Sequence, residues 1–149
     1  MRTQRADERR FWSKVAPANE QGCMLWTGGA SVTRGGGEYG RFWLKGRAVY
    51  AHRASYALTY GEVPEGLTVD HVRDRGCTGT LCVNPLHLEA VTNKENILRG
   101  DSWSGVNARK THCPQGHPYD EENTRTRPRG SRDCRACDRA RKRAHPDGR

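Results

Sequence analysis

The sequence predicts a small α+β fold, in which short helices accompany short antiparallel strands. The chain has 149 residues, which is enough for about one domain and a small additional module. Leu, Ile, Val and Phe together account for only 20 of those residues, a fraction that in a charged chain is typical of disorder. A chain with so few aliphatic side chains cannot fold around a large core, so another interaction must stabilise it.

Hydrophobic periodicity and turn residues place the elements along the chain. We expect a short helix over Asp7–Val15, a strand over Cys23–Thr27 and a glycine-rich loop over Ala30–Glu38. A hairpin is expected from strands at 39–43 and 47–51, followed by a helix at 52–60. A strand at 67–72, a long loop at 73–85, a strand at 88–91 and a helix at 92–99 complete this half. Thr92 and Glu95 have the capping-box spacing that begins this last helix.

Charge and composition divide the chain into a first module at 1–101, a linker at 102–111 and a basic module at 112–149. The net charge is +9, and residues 102–149 contribute +6 of it. Such an excess favours a polyanionic partner, most often nucleic acid. A membrane surface is disfavoured, because the basic run Arg139–Arg143 has no apolar face.

The six cysteines are the candidates for the missing stabilisation. No apolar run resembles a signal peptide, so we expect the protein to work in the cytoplasm of a bacterium or of a phage-infected cell. There, metal thiolates are favoured over disulfides. Cys77, Cys82 and His87 follow one another at short, regular spacing and supply three of the four ligands of a tetrahedral zinc site. The nearest spare ligand in this half of the chain is Cys23.

A second zinc site is predicted in the basic module. Cys113 and His117 form one ligand pair, and Cys134 and Cys137 form a Cys-x2-Cys knuckle. The alternative is a disulfide from Cys134 to Cys137 or to Cys113, which leaves His117 unexplained. Together the two predicted sites use every cysteine of the chain.

Asp70, His71 and Asn96 form a candidate catalytic set. Asp70 and His71 stand at the end of a predicted strand, and Asn96 lies in the helix that follows the next strand. A neutral imidazole is a competent general base near pH 7. Carboxylate and amide oxygens are ligands that suit Mg²⁺. The combination predicts hydrolysis of a phosphodiester bond at a site with one catalytic metal ion.

Here the sequence resembles the HNH, or His-Me finger, endonucleases, most closely the small phage and mobile-element type. It is also similar to the His-Cys box homing endonucleases, which place zinc ligands around the same ββα-metal motif. The resemblance covers about residues 11–99. It is carried by Asp70-His71, Cys77, Cys82-Val-Asn-Pro-Leu-His87-Leu, Thr92 and Asn96, and by the upstream pieces Gly22-Cys23-Met-Leu-Trp26-Thr-Gly28, Tyr39-Gly40-Arg41-Phe42 and Ala51-His52-Arg53-Ala-Ser-Tyr56.

This resemblance implies a small ββα-metal nuclease with a short antiparallel sheet and zinc-stapled loops. It implies that His71 is the general base, that Asp70 and Asn96 bind the catalytic Mg²⁺, and that Arg41 contacts the scissile phosphate. It matches Cys77, Cys82 and His87 to the zinc ligands of the His-Cys box, with Cys23 as the fourth. His87 stands where many members carry the middle Asn of the motif, and we expect the nearest one, Asn84, to be a turn residue before Pro85.

The expected partner is double-stranded DNA, bound by a monomer or a homodimer. His52 is expected to pack beneath Tyr56. Two alternatives remain: a non-catalytic, zinc-stapled DNA-binding protein, and a nuclease directed to RNA. The residues expected to contact nucleic acid are Arg41, Arg53, Arg135, Arg139, Arg141, Lys142 and Arg143.

Overall fold

The computed structural model describes residues 4–144 and divides the chain into two compact units, Met1–Asn96 and Ile97–Arg149. The outer ends of the two predicted modules, residues 1–3 and 145–149, lie outside the described residues. Helices and short antiparallel sheets occur together, so the predicted α+β class is confirmed. None of the helices in the described part is long and apolar enough to cross a bilayer.

The first unit contains a three-stranded antiparallel sheet and a separate two-stranded one. In the larger sheet, β2 is the middle strand between β1 and β3. In the smaller one, β4 pairs with β5. The elements in chain order are α1 (Gln4–Trp12), β1 (Ala30–Val32), β2 (Glu38–Leu44), β3 (Arg47–Tyr50), α2 (Ala51–Tyr60), β4 (Leu67–His71), β5 (Leu88–Thr92) and α3 (Asn93–Arg99).

A small aromatic cluster forms the core of this unit. The ring centroid of Phe11, on α1, lies 5.0 Å from that of Trp26 and 5.1 Å from that of Phe42, on β2. The Nε1 of Trp26 donates a hydrogen bond to the carbonyl oxygen of Gly29 at 3.0 Å, so the buried indole keeps a polar partner. Three large rings therefore supply the apolar burial that the scarce aliphatic residues cannot supply.

The strands β4 and β5 and the helix α3 form a ββα unit. Antiparallel pairing joins Leu67 to Thr92 at one end and His71 to Leu88 at the other. The predicted capping box is present, because Glu95 accepts hydrogen bonds from the backbone and the hydroxyl of Thr92, and the hydroxyl accepts one from the Glu95 backbone. The helix therefore begins directly after β5, as the spacing predicts.

The second unit is built from short elements around a hairpin. It contains α4 (Trp103–Arg109), β6 (Thr124–Thr126), β7 (Arg132–Cys134) and α5 (Arg135–Ala144). The strands β6 and β7 pair antiparallel, with Thr124 opposite Cys134. Helix α5 follows β7 directly, so the knuckle Cys134–Cys137 lies where the hairpin meets the helix.

Three local features differ from the sequence-based expectations. The segment 23–27 makes only isolated bridges, from Trp26 to Val15 and from Leu25 to Cys82, and forms no strand. The expected loop at 30–38 begins with strand β1, which pairs with β2. Residues 102–111, the expected linker, contain α4, because the Ser102 hydroxyl accepts a hydrogen bond from the Gly105 amide and caps the helix.

Gly40 is the point where β2 passes closest to the core. A Cβ atom there would overlap the Trp26 ring and would stand 2.8 Å from the Cβ of Ala51. We expect Gly40→Ala to lower the free energy of unfolding by about 1–3 kcal/mol, the usual cost of overpacking. Gly35→Ala is the matched control, because a Cβ at Gly35 meets nothing within 4 Å. Urea unfolding of the zinc-loaded protein, followed by tryptophan fluorescence, measures the difference; equal stabilities of the two variants would contradict this account of the core.

Candidate active site and metal centres

The first cluster of metal-ligating side chains is buried in the first unit. The ligand atoms of Cys23, Cys77, Cys82 and His87 all lie within 4.8 Å of one another. The Nδ1 of His87 is 3.7 Å from the Sγ of Cys23 and 3.6 Å from the Sγ of Cys82. A tetrahedral zinc ion with bonds of about 2.0–2.3 Å separates its ligands by roughly 3.3–3.8 Å. The spacing therefore fits a zinc ion held by three thiolates and one imidazole.

Distant parts of the chain bring this cluster together. The loop between β4 and β5 supplies Cys77, Cys82 and His87, while Cys23 comes from the segment after α1. Asn84 joins the two, since its amide donates to the Gly22 carbonyl at 2.6 Å and its Oδ1 accepts from the Leu86 amide at 3.0 Å. Asn84 is therefore more than a turn residue, because it also fastens the loop to the Cys23 segment.

The thiols of Cys77 and Cys82 interact with each other inside this cluster. A hydrogen bond between the thiols lowers the pKa of Cys77, and the same bond raises the pKa of Cys82. Metal ligation requires the thiolate form of cysteine, so a bound cation would replace the thiol protons.

The second cluster consists of Cys113, His117, Cys134 and Cys137, and it lies wholly within the second unit. The Nδ1 of His117 is 3.5 Å from the Sγ of Cys113 and 3.3 Å from that of Cys137, and the two sulfur atoms are 3.6 Å apart. These separations also fit a tetrahedral ion with three sulfur ligands and one nitrogen ligand.

Asn123 supports this second cluster, a role that ligand spacing alone does not reveal. Its amide donates to the Sγ of Cys134 at 3.3 Å and to the Pro118 carbonyl at 2.6 Å. Its Oδ1 accepts from the Ala136 amide at 2.9 Å. Polar partners of this kind orient metal ligands and are part of the design of such sites.

His71 lies at the end of β4 and contacts the backbone of a cluster residue. Its Nε2 is 2.9 Å from the carbonyl oxygen of Cys82. A carbonyl can only accept, so Nε2 carries the hydrogen and the Nδ1 of the neutral ring keeps its lone pair. Burial lowers the pKa of His71, and the bond to Cys82 and the nearby charge of Asp70 offset this only in part. The arrangement presents a neutral imidazole with Nδ1 as the basic nitrogen.

His52 is a second buried histidine, and its ring packs against that of His71 with centroids 4.8 Å apart. It stacks on Tyr50 at 5.7 Å and lies 5.5 Å from Tyr39. Its expected position beneath Tyr56 is therefore replaced by a position between β2, β3 and β4. Burial, with smaller contributions from His71 and Arg53, lowers the pKa of His52 to about 3, so its ring is neutral.

A series of ring contacts connects Arg41 to His71. Arg41 is exposed on β2 opposite Tyr50, and its guanidinium lies 5.0 Å from the Tyr50 ring centroid. Tyr50 in turn contacts His52, and His52 contacts His71. Reasoning from the sequence alone missed this row of rings, although Tyr39, Tyr50 and His52 all stand on the predicted hairpin or directly after it.

The other predicted site residues occupy defined elements. Asp70 is half-buried on β4 opposite Glu89, and Asn96 is half-buried in the first turn of α3. Arg53 is exposed on α2. The predicted basic contacts of the tail all lie on α5 and are exposed; they are Arg135, Arg139, Arg141, Lys142 and Arg143.

Known proteins share this part of the chain. Residues 49–98 match the family model described as HNH endonuclease. Protein 7.7 of Escherichia phage T7 is 42% identical over 74 residues, which is 50% of this chain and 51% of that protein. Protein 2.8 of the same phage is 35% identical over 104 residues, or 68% of this chain and 60% of that protein. The chain thus spans between half and two thirds of these relatives' length. No solved structure matches the chain.

The matched segment contains the ββα unit, His71 and three of the four residues of the first cluster. The resemblance seen in the sequence and the match to the family model therefore agree on the same stretch. Residues 49–98 therefore form a domain that matches the HNH endonuclease family.

Proposed function

We propose that the protein is a metal-dependent endonuclease that hydrolyses phosphodiester bonds of double-stranded DNA, with His71 as the general base. The observation that carries the proposal is the hydrogen bond between His71 Nε2 and the Cys82 carbonyl, inside the matched HNH domain. This bond sets the tautomer and the direction of the ring without adding a negative charge beside it.

The chemistry assigned to His71 is removal of a proton from the attacking water. One O–H bond of the water breaks as its proton passes to Nδ1, and the water oxygen forms a bond to phosphorus. The bond from phosphorus to the 3′ oxygen breaks, and that oxygen takes a proton from solvent. General base catalysis of this kind contributes about 10²–10⁴-fold to a rate.

Asp70 and Asn96 would hold the catalytic ion, for which Mg²⁺ is the proposed species. Both side chains are half-buried, they offer oxygen ligands, and they lie on β4 and α3 of one ββα unit. The negative charge of Asp70 interacts with His71 and raises its pKa, which opposes the effect of burial. A bound Mg²⁺ would neutralise the negative charge that develops on the leaving oxygen.

Basic side chains in both units would bind the DNA backbone. Arg41, which the chain of ring contacts links to His71, is proposed to bind the scissile phosphate, and Arg53 a neighbouring one. The exposed cations of α5 would add affinity that depends on salt but not on sequence. We place the activity in the cytoplasm, where cysteine thiols stay reduced and available to metal.

The two clusters predict the metal content. We expect two zinc ions per chain, because each cluster supplies four ligand atoms within 4.8 Å. Cys82→Ser should remove one ion and Cys134→Ser the other, as measured by elemental analysis of the purified proteins. Finding disulfides by mass spectrometry instead, with one zinc ion or none, would contradict both assignments.

The proposed base predicts a specific loss of cleavage. We expect His71→Ala to lower the cleavage rate of plasmid DNA by about 10²–10⁴-fold while zinc content and DNA affinity stay unchanged. Asn96→Ala should lose activity through weaker Mg²⁺ binding, and Asn96→Asp should keep part of it, since a carboxylate is also an oxygen ligand. His112→Ala is the matched control, because His112 is exposed and belongs to neither cluster.

Two outcomes would overturn this proposal in different ways. If His71→Ala cuts DNA at nearly the wild-type rate, the base is another residue. If the wild-type protein binds DNA but never cuts it with Mg²⁺ or another divalent ion, the protein is a zinc-stapled DNA-binding protein.

The pH dependence of cleavage follows from the burial of His71. Because burial lowers the pKa of His71 below 6.5, Nδ1 stays unprotonated to lower pH than in a free histidine. Cleavage should therefore be lost only below pH 6.5, as the pH falls through the lowered pKa. Single-turnover rates at saturating Mg²⁺ between pH 5 and pH 8, about the range in which histidine normally titrates, test this. An acid limb at or above pH 6.5 would contradict it.

A further inference from the structure

The second unit contains a groove that the proposed nuclease chemistry does not use. It has a volume of about 570 Å³ and lies between α4 and the turn that joins β6 to β7. Its lining includes two aromatic and three basic side chains, and no carboxylate residue is among the residues that line it. The principal members are Trp103, Asn107, Lys110, Tyr119, Arg129 and Arg132.

Trp103 is the most unusual residue of this groove. Its side chain is 77% exposed, although the chain has few apolar residues and buries Trp26 almost completely. The Lys110 ammonium lies 5.1 Å from the Trp103 ring centroid. Exposed aromatic rings beside cations bind partners that combine flat apolar groups with negative charge.

Arg132 holds the two walls of the groove together. Its guanidinium donates to the carbonyl oxygens of Asn107 at 2.5 Å and Lys110 at 3.0 Å, which fastens α4 to β7. The same group lies 4.4 Å from the Tyr119 ring centroid. Because Arg132 already has these partners, the other two basic residues of the groove, Lys110 and Arg129, are the ones that would contact a negatively charged ligand. The groove is therefore preformed, which lowers the entropy cost of binding.

We propose that this groove binds an unpaired nucleotide of single-stranded nucleic acid, with its base stacked on Trp103 and its phosphate near Lys110 and Arg129. A base within a duplex already has stacked neighbours, so a stacking site favours unpaired strands. The site goes beyond the proposed nuclease function and does not depend on it, since all its residues lie in the second unit.

Equilibrium binding without added divalent ions tests the proposal. Fluorescence anisotropy of a labelled 15-nucleotide oligo-dT and of a labelled 15-base-pair duplex compares the full-length wild type with Trp103→Ala. Removing one stacking partner should weaken binding of the single strand by about 5- to 100-fold and that of the duplex by less than about twofold, since phosphate contacts dominate there. Trp103→Phe should recover most of the loss.

Trp43→Ala is the matched control, because Trp43 is 56% exposed but lies on β2 in the first unit. The proposal is overturned if Trp103→Ala binds oligo-dT as the wild type does. It is also overturned if this variant loses affinity for the single strand and for the duplex by the same factor. A labelled polyglutamate peptide tests the rival partner. If Trp103→Ala loses binding of this peptide but binds oligo-dT as the wild type does, the groove is assigned to an acidic protein. Because the experiment measures binding and not cleavage, its outcomes can be interpreted even if the nuclease proposal is wrong.

Discussion

Cys82 joins the first metal cluster to the proposed base. Its Sγ faces His87 at 3.6 Å, and its carbonyl oxygen accepts the hydrogen bond from His71. Its backbone also bridges to Leu25, close to Cys23. A ligand bond to the sulfur would therefore fix the carbonyl that orients His71. The geometry proposed for catalysis would then depend on the metal cluster through Cys82.

Hydrogen bonds also fix the loop between β4 and β5 against the segment after α1, from the Asn84 amide to the Gly22 carbonyl and from the Val83 amide to the Met24 carbonyl. The aromatic core reaches the loop at Val83, whose carbonyl accepts a hydrogen bond from the Ser55 hydroxyl at 2.5 Å. In the second unit, the ion pairs of Arg125 and Arg127 with Asp133 lie largely at the surface, where such pairs contribute little. Bonds to a metal ion in both units would therefore add stability that apolar burial provides in other domains.

Local signals in the sequence predicted the two strands and the helix of the ββα unit, and most members of the two cysteine and histidine clusters. The capping box at Thr92 and Glu95 involves residues three apart, and most cluster residues are separated by only a few positions. The contacts of His52 with His71 and of Arg132 with α4 were not predictable in this way. They join segments far apart in sequence, and no periodicity or spacing records which segments meet. The Gly and Ser content of residues 100–110 likewise suggested a linker, whereas Ser102 caps a helix that Arg132 holds in place.

The group that orients the proposed base His71 is a backbone carbonyl and not a carboxylate. In a catalytic triad, a carboxylate orients the imidazole and stabilises its charged form. Here a neutral carbonyl orients the ring, and the neutral ring of His52 packs against it. Both neighbours direct the ring without adding negative charge, so burial dominates and the pKa of His71 falls. A lower pKa makes His71 a weaker base but keeps it unprotonated at neutral pH, which suits the proposed step, in which water would be the proton donor and a bound cation would share the charge.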